Sequence, residues 1–496
     1  MTMIDFEDSL AFTFDNQMNG LRAVTQAAAR TLKADHNGAT IDMAACDKFS
    51  QMLIRMEGLA LPNPHFLVDS VPVAMHVVTA VLFLFHNWKS LFKHGGVPAF
   101  YIPKLETMEE AAYCAELFAF IENELAAAGD GYAVGSLRCF VIMENVWSAF
   151  QKEEILHALR EYIVGMNAGW HDYCASVGAA NASLQHFTMP PKKNLRLVVE
   201  HLHDYHLGIV NACMKRGAIP IGGMNGMVPP PAWAGAGPDA AALSRIRECF
   251  EADFWVQVKR GLRGVWMADV ALAPLMRALV DKAHEQGQLE DSAVPNYTPA
   301  PDKMLVAHLQ PFEATYNDIV QNVSDAVQYL ASFLSGNGNP GLSALHPDGV
   351  AVRNMEDAAT LERSRREIWA MVAHSKPTRQ PDGSSGIATR ELVEQAIEQV
   401  MRDINHRGVD ADVPLVQQSK PHYDTALILF RELVFSPCPV DYFSVLALRY
   451  CVAPARVDRY FLGDCFAAAS KVCFYAPIWF IAVLIIRCDV AFSPGC

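Results

Sequence analysis

The N-terminus, MTMIDFEDSLAF, lacks a basic stretch leading into an apolar one, so it does not read as a secretory signal. The 12 cysteines include no Cys-x-x-Cys pair and no zinc-type spacing, which leaves reduced thiols in a reducing compartment as the expected state. Clustered Lys and Arg are missing as well. The 40 basic residues face 54 acidic ones, for a net charge of −14, and this excludes a phosphate-binding surface for nucleic acid. The ending Ser-Pro-Gly-Cys carries no peroxisomal Ser-Lys-Leu signal. Small-molecule chemistry is what these absences leave.

What is present is a globular chain of 496 residues, 51% hydrophobic, long enough for one large core and a second domain. Seven short apolar runs each end in a polar cluster. They are 1–5, 51–54 before Arg55, 99–102 before PKLE, 139–143 before Glu144, 162–166 before a loop carrying Asp172, 218–221 before Gly222 and Gly223, and 264–268 before Asp269. Such runs are the pattern of buried parallel strands. Helical patterns separate them, as at 107–125, where Thr107 and Glu110 make a capping box and Ala111, Ala115 and Phe118 share a face. The alternation predicts an α/β fold with a parallel sheet, of the TIM (β/α)₈ type but one strand short of eight. Glu144 and Asp172 would then stand at the C-terminal end of that sheet, where ligands bind, as candidate metal ligands.

After the seventh run the pattern becomes helix without strand: a helical region over 302–334, a Gly/Pro loop over 335–349, and a helix opened by Asp357 with Leu361, Arg365, Ile368 and Val372 in register. This divides the chain into a barrel domain, 1–301, a mainly helical C-terminal domain, 302–449, and a hydrophobic, Cys-rich tail, 450–496. In the tail, residues 472–486 are uncharged but interrupted by Pro477 and short of a bilayer span, so they read as a buried tail rather than a membrane anchor. His201, His203 and His206 in EHLHDYH read as a solvated helix face rather than a zinc site, because no third ligand is indicated.

Five blocks, in the order YIPKLETMEEAAYCAELFAFIENEL, REYIVGMNAGWHDY, KRGAIPIGGM, YLASFLSGNG and NMEDAATLERSRREIW, resemble those of malate synthase, the shorter A-type form. The resemblance covers residues 3–450. It implies an acyltransferase of the glyoxylate cycle that condenses acetyl-CoA with glyoxylate and water to malate and CoA, using Mg²⁺, on a TIM barrel with a helical C-terminal domain. It also implies a further N-terminal stretch holding the first barrel strand, so that this chain starts at the second. By the same resemblance Glu144 and Asp172 hold the metal, where one hard cation would touch both the carboxylate and the aldehyde of glyoxylate.

Asp357 matches the general base that takes the acetyl methyl proton, and as an Asp at a helix start it also reads as an N-cap. Arg55 matches the arginine that stabilises the oxyanion, although it is followed by Met56, Glu57, Gly58 and Leu59 where the family has a Pro-Arg-Gly-Trp-like run. Asp5, Glu7 and Asp8 resemble an acidic strand end that surrounds the metal and the arginine. Gly169, Trp170 and His171 match the segment whose backbone N–H groups hold the glyoxylate carboxylate, with Trp170, His171 and Asp172 in place of the usual Arg-Trp-Asp. The block at 264–270, Gly-Val-Trp-Met-Ala-Asp-Val, departs from the family's Gly-Thr-Trp-Val-Ala-His-Pro. Two readings stand: a working malate synthase, or a degenerate, non-catalytic homologue that binds Mg²⁺ or glyoxylate. A cytoplasmic location, or a glyoxysomal or peroxisomal one by family analogy, goes with the first.

Overall fold

The computed structural model describes residues 1–451 apart from 37–38, 47–49, 188, 193–201, 229–239, 306–312, 346–350 and 407–418. The tail beyond 451 and His201 therefore lie outside the described residues, among which no helix is long and apolar enough to cross a membrane. The chain forms two compact units. One comprises Met1–Ile142, Gln151–Gly165 and the segment starting at Ser444; the other comprises Met143–Phe150 and Met166–Phe443.

In the first unit, strands Thr2–Asp5, Met52–Arg55, Ala99–Ile102 and Arg138–Ile142 pair in that order and run parallel. The middle two, MLIR and AFYI, are buried throughout, which is why they read as unbroken apolar runs. The register sets Asp5 beside Arg55 and Arg55 beside Tyr101, so charged strand ends gather at the C-terminal edge. Helix Met108–Ala127 starts at the expected Thr107/Glu110 capping box. Phe100 of the sheet stacks on Phe118 of that helix, with ring centroids 5.3 Å apart. The apolar stretch over 71–85 becomes strand Val71–Ala74 and most of helix Met75–Lys93, whose side chains fill the core.

Two residues beyond Arg55, Glu57 is fully buried. Its Oε1 accepts from Gln17 Nε2 (2.9 Å) and Thr79 Oγ1 (2.8 Å), while Oε2 has no hydrogen-bond partner among the described residues. Burial pushes this carboxyl up to about 8, so the folded chain keeps its proton where the unfolded chain has lost it. The stabilising contribution is therefore full in acid and is lost as the pH rises to about 8. Glu57→Gln is expected to abolish a decline in unfolding free energy on the order of 4 kcal/mol between pH 5 and 8. Denaturant titrations at the two pH values read this directly. Parallel declines in both proteins would mean that Glu57 ionises as easily folded as unfolded.

In the second unit, the Met143 N–H donates to the Asn167 carbonyl (2.8 Å), the Ala168 N–H to Ile221 (2.9 Å) and the Gly222 N–H to Gly264 (2.7 Å). These bonds set the ends of strands Ile163–Asn167 and Ile219–Ile221 beside their neighbours. The seventh run forms the short strand Trp266–Met267, parallel to Met224–Asn225. Ile246, Phe250, Phe254 and Val258 of helix Ala240–Lys259 make a core cluster with Leu272 and Leu279. Helices Tyr316–Leu334, Ala358–Ala373, Arg390–His406 and Tyr423–Val434 dominate the C-terminal part. Helix Ala358–Ala373 lies against both Tyr316–Leu334 and Trp170–Ala180.

The C-terminal part is not helix alone. Gly341–Leu345 and Ala351–Met355 form a hairpin that Met227–Val228 extends, and Pro377–Arg379 pairs with Ser385–Ile387 and with Ala314–Thr315. The stretch expected to be a Gly/Pro loop thus holds a strand, paired with the nearby Ala351–Met355 and concealed in the sequence by the flanking Gly and Pro residues. The helix expected from 302 starts only at Tyr316, behind a Thr315/Asp318 capping box. Asp172 stands in the first turn of helix Trp170–Ala180 rather than in a loop. The histidine face is not solvated: His206 is fully buried with Nδ1 3.0 Å from Arg260 Nη1, because helix His203–Arg216 buries most of its side chains.

Candidate functional site

In the first unit, Arg55 is 5% exposed and bound by the acidic strand end of MIDFED. Its Nε donates to Asp5 Oδ1 (2.6 Å) and its Nη2 to Asp5 Oδ2, while Nη1 lies 3.4 Å from Glu7 Oε2 and 3.6 Å from Asp8 Oδ2. Asp5 is in turn held by the backbone N–H groups of Glu7 and Ser9, each at 3.0 Å. Burial opposes the charge on Arg55, and the carboxylates of Asp5, Glu7 and Asp8 outweigh it, holding the guanidinium well above its ordinary value. Burial likewise raises Asp5, and Arg55 reverses the sign, leaving that carboxyl below the ordinary range. Lys104, which sequence reasoning passed over, joins the cluster at 2.9 Å from Glu7 Oε1 and 3.1 Å from Asp8 Oδ2. Its backbone sits at φ 53°, a left-handed conformation that costs a lysine energy and marks a constrained position after strand Ala99–Ile102.

In the second unit, Glu144 and Asp172 are both buried. The chain after Glu144 is pinned by the Val146 N–H to Ser176 Oγ (2.8 Å) and the Trp147 N–H to Asn145 Oδ1 (2.8 Å). Asp172 occupies a helix start, where the positive end of the helix favours a carboxylate. Both acids bear on one residue. Burial first, then the neighbouring groups of Tyr173, Glu144 and Asp172, push the Tyr205 phenol well above its ordinary value, and its hydroxyl donates to the Met143 carbonyl. The Tyr205 ring stacks on Tyr173 with centroids 3.9 Å apart. Asn167, also buried, donates from Nδ2 to the Gly222 carbonyl (2.7 Å), and its Oδ1 makes no hydrogen bond among the described residues.

No group of three or more His, Cys, Asp or Glu side chains able to hold a metal occurs among the described residues. The donors on offer are the buried carboxylates of Glu144 and Asp172, both of which act on Tyr205. Such a pair suits a hard cation completed by substrate and water oxygens, and not a zinc-type cage.

Gly169 is the residue before helix Trp170–Ala180, and Trp170 and His171 open it. The first N–H of this segment to find a helix carbonyl is that of Tyr173, bonded to Gly169 (3.1 Å). The three amides before it are the outward-pointing donors of a helix start. Gly222 and Gly223 permit close packing. A Cβ on Gly222 would fall 2.1 Å from Gln257 Oε1, and one on Gly223 2.7 Å from the Ala168 carbonyl and 2.8 Å from the Trp170 ring.

Asp357 is the N-cap of helix Ala358–Ala373, 9% exposed. Its Oδ1 accepts from the N–H groups of Ala359 (3.1 Å) and Thr360 (3.3 Å), and Thr360 Oγ1 accepts the Asp357 N–H (3.1 Å). Burial, reinforced by Asp325, pushes the adjacent Glu356 carboxyl up to about 7 against the pull of Lys192 and Arg363. Burial takes Glu367, ten residues along the same helix, up to about 8. Arg363 Nη1 meets His171 Nδ1 at 3.0 Å, with the guanidinium 5.3 Å from the Trp170 ring centroid. A guanidinium only donates, so Nδ1 is the acceptor. Burial, then the charges of Arg363 and Lys192, hold His171 well below its ordinary value and hence neutral. Sequence reasoning named none of Glu356, Arg363 and Glu367. The run ERSRRE offers only the signal of a charged helix face.

The family model described as malate synthase, TIM barrel domain, matches residues 51–306, and the one described as malate synthase, C-terminal, matches 313–449. A bifunctional glyoxylate cycle protein of Caenorhabditis elegans is 31% identical over 373 residues, 75% of this chain and 36% of that protein. Malate synthase A of Escherichia coli is 26% identical over 449 residues, 90% of this chain and 78% of that one. The glyoxysomal malate synthase of Zea mays is 29% identical over 461 residues, 91% of this chain and 77% of its own. A Haloferax volcanii malate synthase solved as a pyruvate/acetyl-CoA ternary complex aligns with 84% of this chain and 88% of that one, at 13% identity and a TM-score of 0.45.

Proposed function

Because the chain belongs to the malate synthase family, with a TIM barrel domain followed by a mainly helical C-terminal domain, we propose that it condenses acetyl-CoA with glyoxylate and water to malate and CoA. The observation that carries this reading is Asp357: a buried carboxylate fixed by two backbone N–H bonds on one oxygen, at the positive end of a helix. A base that must take a weakly acidic methyl proton needs such a fixed position. The domain boundary near residue 302 is part of the same proposal, supported by the gap between the two matched family regions.

The roles of the other residues follow from what each can do. Glu144 and Asp172 would hold Mg²⁺, which, when bound, supplies a Lewis acid for the aldehyde oxygen of glyoxylate. The outward amides at the start of helix Trp170–Ala180 receive the carboxylate of that substrate. Arg55 is the group suited to answer negative charge that develops on the acetyl oxygen, and Asp5, Glu7 and Asp8 keep its guanidinium charged and in place. In the hydrolytic stage water cleaves the thioester, releasing CoA and the new carboxylate of malate.

Metal dependence provides the test. Glu144→Gln and Asp172→Asn are each expected to raise the Mg²⁺ concentration that half-stabilises the protein against heat by at least about 100-fold, since even outer partners of metal ligands cost 10–100-fold. A wild-type melting temperature insensitive to Mg²⁺ would remove the metal from the account.

A further inference from the structure

The geometry points to Arg363 and Trp170 as a two-donor clamp for the planar carboxylate of the 2-oxo acid substrate, made from side chains in addition to the amides at the helix start. Arg363 and Trp170 are 7% and 8% exposed. Arg363 spends Nη1 on His171, and its Nη2 has no hydrogen-bond partner among the described residues. The indole Nε1 of Trp170 has none either. Two buried donors thus stand within one cation–ring contact of each other, with the guanidinium 5.3 Å from the indole centroid. Leaving such groups unmatched is costly, and native structures seldom do so unless a ligand or water completes them.

The kind of ligand follows from the donors. One guanidinium edge and one N–H, on buried side chains in cation–ring contact, fit a flat two-oxygen anion better than a phosphate, which calls for a wider ring of donors. Trp170 is also the first residue of the helix whose N-terminal amides favour negative charge. The surrounding acids do not neutralise the clamp: burial keeps Glu367 largely protonated and Glu356 partly so at neutral pH. Gly223 lets the loop pass the edge of the Trp170 ring, where a Cβ would lie 3.5 Å from Nε1. The identity of the acid as glyoxylate rests on the reading proposed above; the clamp itself does not.

The experiment is calorimetric titration of glyoxylate into the full chain with saturating Mg²⁺ and no acetyl-CoA, so that binding is read apart from turnover. Arg363→Met is expected to weaken the Kd by about 10- to 100-fold and Trp170→Phe by about 3- to 10-fold, the loss of a charge-assisted and of a single neutral donor. Arg363→Lys, which keeps the charge without the fork, should fall between wild type and Arg363→Met. A wild-type Kd in Arg363→Met, with only a lower melting temperature, would overturn the proposal and make Arg363 an internal partner of Glu367. Should Arg363→Met fail to fold, Trp170→Phe decides, because it removes the N–H and keeps an aromatic ring: an unchanged Kd overturns the clamp. Arg363-dependent binding by a wild type that releases no CoA would uphold the clamp while ending the malate synthase reading. Release of CoA with Kd and KM for glyoxylate untouched in Arg363→Met would do the reverse.

Discussion

Asp357→Asn is expected to lower kcat by roughly 10²- to 10⁴-fold, the usual worth of a positioned general base, and to leave the fold intact. Asparagine caps a helix about as well as aspartate, so its side-chain oxygen keeps the bonds now made by the Ala359 and Thr360 N–H groups. The amide cannot take a proton. The contrast with Asp357→Ala separates the two duties, since alanine loses the base and also about 1 kcal/mol of cap. Parallel measurement of kcat and of the denaturant midpoint in the two variants gives the answer. An asparagine variant within tenfold of wild type would mean that another group takes the proton, and Glu356, one residue away, would be the next to test.

Arg55→Met carries the second large effect, this time on stability. The guanidinium compensates the buried carboxylates of Glu7 and Asp8 and the partly buried one of Asp5, and removing one partner of a buried ionic cluster costs about 3–5 kcal/mol because the remaining charges stay desolvated. Lys104 still reaches Glu7 and Asp8, while Asp5 loses the guanidinium that holds both of its oxygens. The pH dependence identifies the cause. In the wild type the depressed Asp5 contributes stability above the ordinary carboxylate range and loses it as the pH falls through its folded value. Without Arg55, burial acts on Asp5 against only the Glu7 and Ser9 bonds, and the carboxyl rises. The gap between wild type and variant is therefore widest at neutral pH and narrows in acid. A gap that stays constant from pH 7 to pH 4 would assign the effect to lost packing instead.

The parts of this molecule legible in the sequence are those that local pattern determines. MLIR and AFYI are unbroken apolar runs because both faces of their strands are covered, and Thr107/Glu110 and Asp357 are visible as caps because a cap is a contact over three residues. Arg365 stood in the buried register of its helix and is indeed fully buried, paired with Glu362. What stayed hidden depends on partners far along the chain. Arg363 reads as one more charge in a charged run until His171, 192 positions away, accepts from it. His206 looked solvated because its partner Arg260 lies 54 positions away, just past the end of helix Ala240–Lys259. The hairpin at Gly341–Leu345 and Ala351–Met355 is short, interrupted by Gly and Pro, and completed by Met227–Val228. Lys104 is the intermediate case, since a Pro-Lys pair closing a strand signals a turn but not the ion cluster that the turn serves.

The most direct measurement is the glyoxylate-dependent release of CoA thiol from acetyl-CoA by the purified chain with Mg²⁺, followed with a thiol reagent. Release that requires both substrates, with malate formed in equal amount, is the predicted result. Folded protein that binds Mg²⁺ but yields no thiol above the rate without glyoxylate would contradict it.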